Sequence, residues 1–326
     1  MSKVNSPQAT TQINKLRSLL TSDLVELAGF QVNKHRQYTQ IQPGKLEVNY
    51  SEVSWNNVQI FKERIGVGAR IEGAPILSYL PFGFIFPQFG DYRFCGYKGE
   101  SNTLIQATGG MWDISFNQKL DYICAAFNRD YFYSSYQLLM QQEVPKEFLV
   151  SKMTKATLQH CSIFSVGLTN IMQRVLVNPE ILEKYKTVNL LTSQILKLTL
   201  DALIPSVDLS LPLKVQPKRI KGTKRVIDYL QQYPEQLLDM QSLCKIANLS
   251  ERSLQYGFLE YLGVTPIQYS RIVRLNGARR DLVVATNDVT KVIDIALDWG
   301  FLEFGRFSKE YKQLFNELPS QTLRNR

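Results

Sequence analysis

The chain has 326 residues, 44% of them hydrophobic and 11% aromatic, enough apolar material for about two domains and too much for a disordered chain. Lys and Arg number 38 against 29 Asp and Glu, a formal charge of +9, which favours an anionic partner without bearing on fold. Cys95, Cys124, Cys161 and Cys244 are dispersed, which argues against a disulfide framework or a Cys-rich zinc module. Only His35 and His160 are present, and hydrolytic triads, metal sites and proton shuttles lean on histidine. No catalytic residue, metal or cofactor is therefore expected. The polar N-terminus lacks a secretory apolar stretch. A long uncharged run, Gly73 to Gly90, carries Pro75, Pro81 and Pro87, which would break a spanning helix. A cytoplasmic chain with no membrane association is expected.

From about Phe30 to Phe132 the pattern is that of strands. Lys45-Leu46-Glu47-Val48-Asn49-Tyr50 alternates with period two, and glycines and prolines punctuate short apolar runs, as in an all-β barrel or sandwich. Its many aromatics are read as core, with some lining an effector cavity at the barrel mouth. Residues 1–150 are assigned to this domain. From 151 to 203 apolar residues recur at helical spacing, Leu158, Cys161, Phe164, Leu168, Ile171, Met172 and Val175 first and a second helix after Pro179, giving a connector that could also pair two copies of the chain. Residues 204–218 hold three prolines and no helical period, and are read as a linker.

Basicity concentrates beyond that linker: Lys214 to the end holds 18 Lys and Arg against 12 Asp and Glu. A helix over Lys221–Tyr233 is expected to open an all-α domain, 219–326. Asp239 can cap Met240–Ala247, Asn248 can take the left-handed turn, and Ser250 can cap Glu251–Leu262. Two helices joined by so tight a turn form a helix-turn-helix, here 239–262. Leu249, Leu254 and Phe258 anchor the second helix. Its outer face then offers Arg252, Gln255 and Tyr256, with Ser250 near the phosphates. The pattern recurs at 289–315, with Ile295-Ala296 at the crossing, Gly300 in the turn, a buried stripe of Phe301, Phe307, Tyr311 and Phe315, and an exposed Phe304, Gly305, Arg306 and Lys309. Between the units Thr265-Pro266 starts a helix to about Ala285. Its length, roughly 30 Å, approaches the ~34 Å between successive major-groove faces of B-DNA.

Leu249-Ser250 with Leu254 and Phe258, Gly263-Val264-Thr265-Pro266 with Tyr269, Arg274-Leu275 and Ala278-Arg279, and Trp299-Gly300-Phe301 with Gly305-Arg306-Phe307-Ser308 together resemble the AraC/XylS family of bacterial transcription regulators. So do Tyr311, Phe315, Pro319-Ser320 and Thr322-Leu323. The resemblance covers about Lys221 to Arg324, and Gly-Arg-Phe-Ser is similar to the subgroup of ethanolamine-operon regulators. Two departures stand out. Tyr256-Gly257 occupies the place of an arginine and a bulky residue, so the first reading helix is expected to be softer or shifted in base preference, since helical glycine costs about 1 kcal/mol. Asn316-Glu317 stands where a glycine is usual. The resemblance implies a cupin-like N-terminal barrel, here without clustered histidines and so metal-free, and an effector-responsive activator. Its implied partners are promoter DNA, RNA polymerase and a small-molecule effector, with a homodimer as an option.

Arg252, Gln255, Arg306 and Lys309 could instead form a solvated face. As readers, arginine and glutamine suit base edges, lysine a phosphate, and Phe304 a thymine methyl. Arg271, Arg274, Arg279 and Arg280 divide between structural ion pairs and DNA-backbone contacts, and Trp299 reads as core. An architectural DNA protein would not need so large a sensor domain. A repair-type enzyme with the same helical domain would need a Pro-Cys-His-Arg run, which is absent; adjacent His160 and Cys161 point apart on a helix.

Overall fold

The computed structural model describes residues 15–324 apart from 32–33, 75–77, 108–109, 147, 149–151, 208–215 and 286–290. Strand β1 (Lys15–Thr21) and helix α1 (Leu24–Phe30) lead into β2 (Arg36–Gln40), β3 (Val48–Trp55), β4 (Val58–Ile65), β5 (Ala69–Gly73) and β6 (Tyr79–Ile85). Then follow β7 (Tyr92–Phe94), β8 (Tyr97–Lys98), β9 (Thr103–Gln106), β10 (Trp112–Phe116) and β11 (Leu120–Asn128). After α2 (Arg129–Met140) comes β12 (Met153–Lys155). The strands make two antiparallel sheets, ordered β1-β3-β4-β11-β6-β9-β12 and β2-β5-β10-β7-β8. Both β1 and α1 precede the expected strand-rich stretch, and its last four residues begin α2 instead of ending a strand. Asn128 explains that switch: its side chain accepts from Tyr131 N and starts the helix.

Apart from edge strands such as β1, the sheets are buried on both sides, so clean alternation of polar and apolar residues fails on most strands. Tyr50, Phe61, Ile71, Phe94, Trp112 and Tyr122 meet between the sheets. The opposite face of the large sheet, with Trp55, Phe82 and Phe127, packs under α2, α3 (Leu158–Val177) and α4 (Tyr185–Val207). Trp55 Nε1 donates to Thr192 Oγ1 at 2.9 Å across that contact. The helical segment is thus not a separate connector. Its β12 extends the large sheet beyond residue 150, and its helices share one core with the sheet. Helix α4 also runs past the expected linker start at 204, as far as Val207, even though Pro205 has no N–H to donate back to the preceding turn. Leu158, expected in the buried stripe, is 63% exposed at the first turn of α3.

The C-terminal region is wholly helical among the described residues: α5 (Lys218–Gln232), α6 (Met240–Ala247), α7 (Glu251–Leu262), α8 (Pro266–Val284), α9 (Val292–Asp298), α10 (Phe304–Phe315) and α11 (Pro319–Arg324). Helices α5, α6 and α7 close one core with the first half of α8; α9, α10 and α11 close another with its second half. Helix α8 is the common spine. Thr265 and Gln268 form a full capping box at its start, followed by Pro266 at the first helical position.

Candidate nucleic-acid interface

The first unit is built by its caps and its turn. Asp239 accepts from Ser242 N at 2.9 Å and Ser250 from Ser253 N at 3.4 Å. Between the helices Asn248 sits at φ +52, and Asn248 N and Leu249 N donate to Lys245 O and Cys244 O. This pair of bonds consumes carbonyls that a helix end leaves open. Leu254 and Phe258 are fully buried, which turns the opposite face of α7 outward. Arg252 and Tyr256 are exposed there, the guanidinium 5.6 Å from the ring centre. Gln255 lies beside them with its Nε2 on Glu251 Oε1 at 3.0 Å.

Gly257 has a different cause from the one its sequence suggests. A Cβ there would stand 2.1 Å from Thr223 Oγ1 and 3.2 Å from Arg219 O. Helix α5 crosses α7 at this point, and α7 is unbroken from Glu251 to Leu262. The glycine is a packing requirement, and the helix continues through it.

The second unit repeats the turn. Gly300 takes φ +72, and Gly300 N and Phe301 N donate to Leu297 O and Ala296 O. Phe307, Tyr311 and Phe315 are buried, while Phe304 is partly exposed and Gly305, Arg306 and Lys309 face solvent. Arg306 Nε donates to Glu310 Oε1 at 3.0 Å, and Arg271 pairs with the other oxygen of the same carboxylate. A Cβ on Gly305 would meet nothing within 4 Å, so this glycine is not demanded by the protein's own packing. Asn316 ends α10 at φ +59, doing the work of the glycine usual at this place, since asparagine tolerates the left-handed region.

Of the spacer-helix arginines, Arg271, Arg274 and Arg279 are committed inside the protein, and Arg280 is exposed beside the Trp299 ring. Arg274 donates to Trp299 O and Gly300 O, and Arg279 pairs with Glu317 and with Asp23 at 3.2 Å. Trp299 is half-buried, stacked close over Gly277, with its Nε1 on Asp281 Oδ2 at 2.6 Å. All eight expected contact residues, Ser250, Arg252, Gln255, Tyr256, Phe304, Gly305, Arg306 and Lys309, therefore lie on or at the start of the second helix of a unit.

Sequence reading missed the junction on the other side of this domain. Strand β10 puts Trp112, Ile114 and Phe116 between the sheets, while Asp113 and Ser115 face the helices. Asp113 is 2% exposed and receives Tyr261 OH at 2.7 Å, Lys224 Nζ at 2.9 Å and Arg70 Nε at 3.3 Å. Burial alone would raise its pKa, but Arg70 and Lys224 hold the carboxyl below its ordinary value. Ser115 Oγ donates to Tyr261 O, and Arg93 pairs with Glu260 at 2.9 Å. The second unit is gripped too: Gln40 N donates to Asn276 Oδ1, Asn276 Nδ2 to Gln40 O, and Gly44 N to Leu314 O. The only signal in the sequence was the strict alternation of Trp112 to Phe116, whose polar members needed a second layer to face.

A family model described as a helix-turn-helix domain matches residues 243–325. The chain is 43% identical over 98 residues to a probable thc operon regulatory protein of Rhodococcus erythropolis, covering 30% of each. It is 35% identical over 100 residues to the XylDLEGF operon transcriptional activator 2 of Pseudomonas putida, covering 31% of this chain and 64% of that one. The C-terminal third therefore contains a helix-turn-helix domain and is similar in sequence to operon regulators. A solved probable AraC family regulator from Rhodopseudomonas palustris aligns with 32% of this chain and 94% of its own, at 29% identity and a TM-score of 0.30. The chain thus spans less than two thirds of the length of these curated relatives, each matched over about 100 residues. In both reading helices Arg252, Tyr256, Arg306 and Lys309 are exposed, while Tyr261 and Leu314 on the same helices touch the barrel.

Proposed function

We propose that this protein is a sequence-specific DNA-binding transcription regulator, an effector-responsive activator that reads two adjacent major-groove segments per chain. One observation carries the reading. Two capped or packed reading helices share a single spine, and their outward faces are free while their inner faces are docked. At about 1.5 Å per residue the 19 residues of α8 span about 28 Å, near the pitch that separates successive grooves. Arg252, Gln255 and Arg306 supply base-edge donors, Ser250 and Lys309 phosphate contacts, and Phe304 an apolar contact for a thymine methyl.

The basic excess of this domain supplies sequence-independent affinity. The relatives named as operon regulators and activators support the assignment, as does the place of the domain behind a barrel. Promoter DNA and RNA polymerase are then the macromolecular partners, and a small molecule at the barrel is the effector. Exposed apolar residues on α3, among them Leu158, Ile163 and Val166, offer a face for a homodimer. Among the described residues no helix is long and apolar enough to cross a membrane, and the proposed work is in the cytoplasm. The finer likeness to ethanolamine-operon regulators remains a proposal from the Gly305–Ser308 run.

The test is footprinting of genomic DNA with the full chain, followed by affinity measurement on the strongest site across a salt series. Log affinity should fall with log salt by about 0.9 per phosphate neutralised, and the footprint should cover two segments one helical turn apart. A flat salt response, or protection of one segment alone, would sink the reading.

A further inference from the structure

Arg306 stands in the first turn of α10, and its partner Glu310 lies one turn later. A cation so near a helix N-terminus opposes the helix dipole, and the order Arg then Glu is the weaker one for a pair four residues apart. Helix stability therefore does not account for the pair. Its geometry serves another use. Glu310 Oε1 accepts from Arg306 Nε at 3.0 Å, while Glu310 Oε2 meets Arg271 Nε on the spine helix α8. That second contact is dry, because neither of its atoms is open to solvent. Arg271 is itself steadied by the Phe301 ring, whose centre lies 6.0 Å from its guanidinium. The carboxylate is thus fixed to the spine, with its side chain 23% exposed against 53% for Arg306.

The first unit lacks this anchor. Gln255 Nε2 donates to Glu251 Oε1 at 3.0 Å on the exposed face of α7, and among the described residues no spine side chain reaches Glu251.

What Glu310 takes from Arg306 decides what is left. With Nε occupied, the two Nη groups remain, and neither has a protein partner among the described residues. They form the end of a planar fork whose donors point the same way. In the major groove guanine alone presents two neighbouring acceptors, N7 and O6. Adenine sets a donor beside its N7, and thymine a methyl beside its O4. Arg271, Glu310 and Arg306 together keep a single positive charge, so the carboxylate does not turn the site against DNA.

We propose that Glu310, anchored by Arg271, is a positioning residue for DNA recognition, and that it sets Arg306 to read a guanine through both Nη groups. The arginine is ordered before DNA arrives, so less rotamer freedom is lost on contact. The proposal rests on the regulator reading and adds to it the base and the residue behind the reader.

The test uses the full chain and its strongest footprinted site, with each protected guanine replaced in turn by 7-deazaguanine, which lacks the N7 acceptor and keeps the base pairing. For the wild type one replacement should weaken binding by about tenfold, and Arg306→Ala should be indifferent to it. Glu310→Ala should shrink that penalty to about threefold or less. It should not lower affinity for random DNA, since it removes an anion from the DNA-facing side. In the Arg306→Ala background, Glu310→Ala should change the discrimination no further; a merely structural role would still show there. No sensitive guanine, a penalty that survives Glu310→Ala, equal losses on cognate and random DNA, or a Glu310→Ala effect that persists without Arg306 would overturn the proposal and leave the regulator reading standing. A wild type with no preferred site would sink both.

Discussion

The first helix-turn-helix unit starts both of its helices with a capping side chain, Asp239 and Ser250, whereas the second starts them at Lys291 and Glu303 with none. Their turns nonetheless close with the same two backbone bonds. The second unit draws its order from outside itself. Arg274 holds its turn carbonyls, Trp299 is pinned to Asp281 and Gly277, and Tyr311 and Thr322 tie α10 to the terminal helix. A reading helix can therefore be placed by its own local sequence or by its neighbours. The two routes should fail differently under mutation.

The largest effect is expected at the barrel's grip on the first unit. Asp113→Asn leaves Arg70 and Lys224 short of a buried counter-charge and should cost about 3 kcal/mol, read as a drop in the denaturation midpoint. The pH dependence sharpens this. Because the folded pKa of Asp113 is lowered, its contribution is complete above the ordinary aspartate value near about 3.9. It is lost as pH falls through the lower folded value. The gap between wild type and Asp113→Asn should accordingly hold from neutral pH to about 4 and narrow below it; a gap that narrows already at pH 6 would contradict the charge network.

Next comes the spine under the second unit. A Cβ on Gly277 would meet the Trp299 ring at 2.1 Å, so Gly277→Val should destabilise by about 2–3 kcal/mol through overpacking. Hydrogen exchange should report the loss first in α9 and α10. If the first unit opened equally, the two units would not be separable as argued.

Smaller effects concern the reading faces. Arg306→Ala and Gln255→Ala should each cost about 1–2 kcal/mol on the cognate site and less on random DNA, measured by anisotropy; equal losses on both would make them backbone contacts. The least is expected at the caps. Ser250→Ala should lower stability by about 1 kcal/mol. Glu303→Ser, supplying a missing cap, should raise it by about 0.5 kcal/mol, and a thermal melt distinguishes the signs.

Much of the C-terminal domain was legible in the sequence because its signals are local. Asn248, Gly300, Thr265-Pro266 and the apolar stripes announce turns and buried faces within a few residues of where they act. The reason for Gly257 was not legible, because the group it makes room for, Thr223, lies 34 positions earlier on a crossing helix. The barrel was recognised in kind but not in extent. Strand β1 pairs with β3 and β12 with β9, and such distant pairing leaves little trace in a short window. The junction failed to show for the same reason. Asp113, Tyr261 and Lys224 become partners only after both domains have folded.

Strand β10 has one row of side chains in the barrel interior and the other on the helices. Neither row can drift alone. A chimera that joined this barrel to a relative's reading domain would strand Asp113 and Arg70 opposite whatever the donor brings, so transplantable modules should be cut to include the outward residues of β5 and β10. Specificity engineers who swap only the helices should expect poorly folded hybrids.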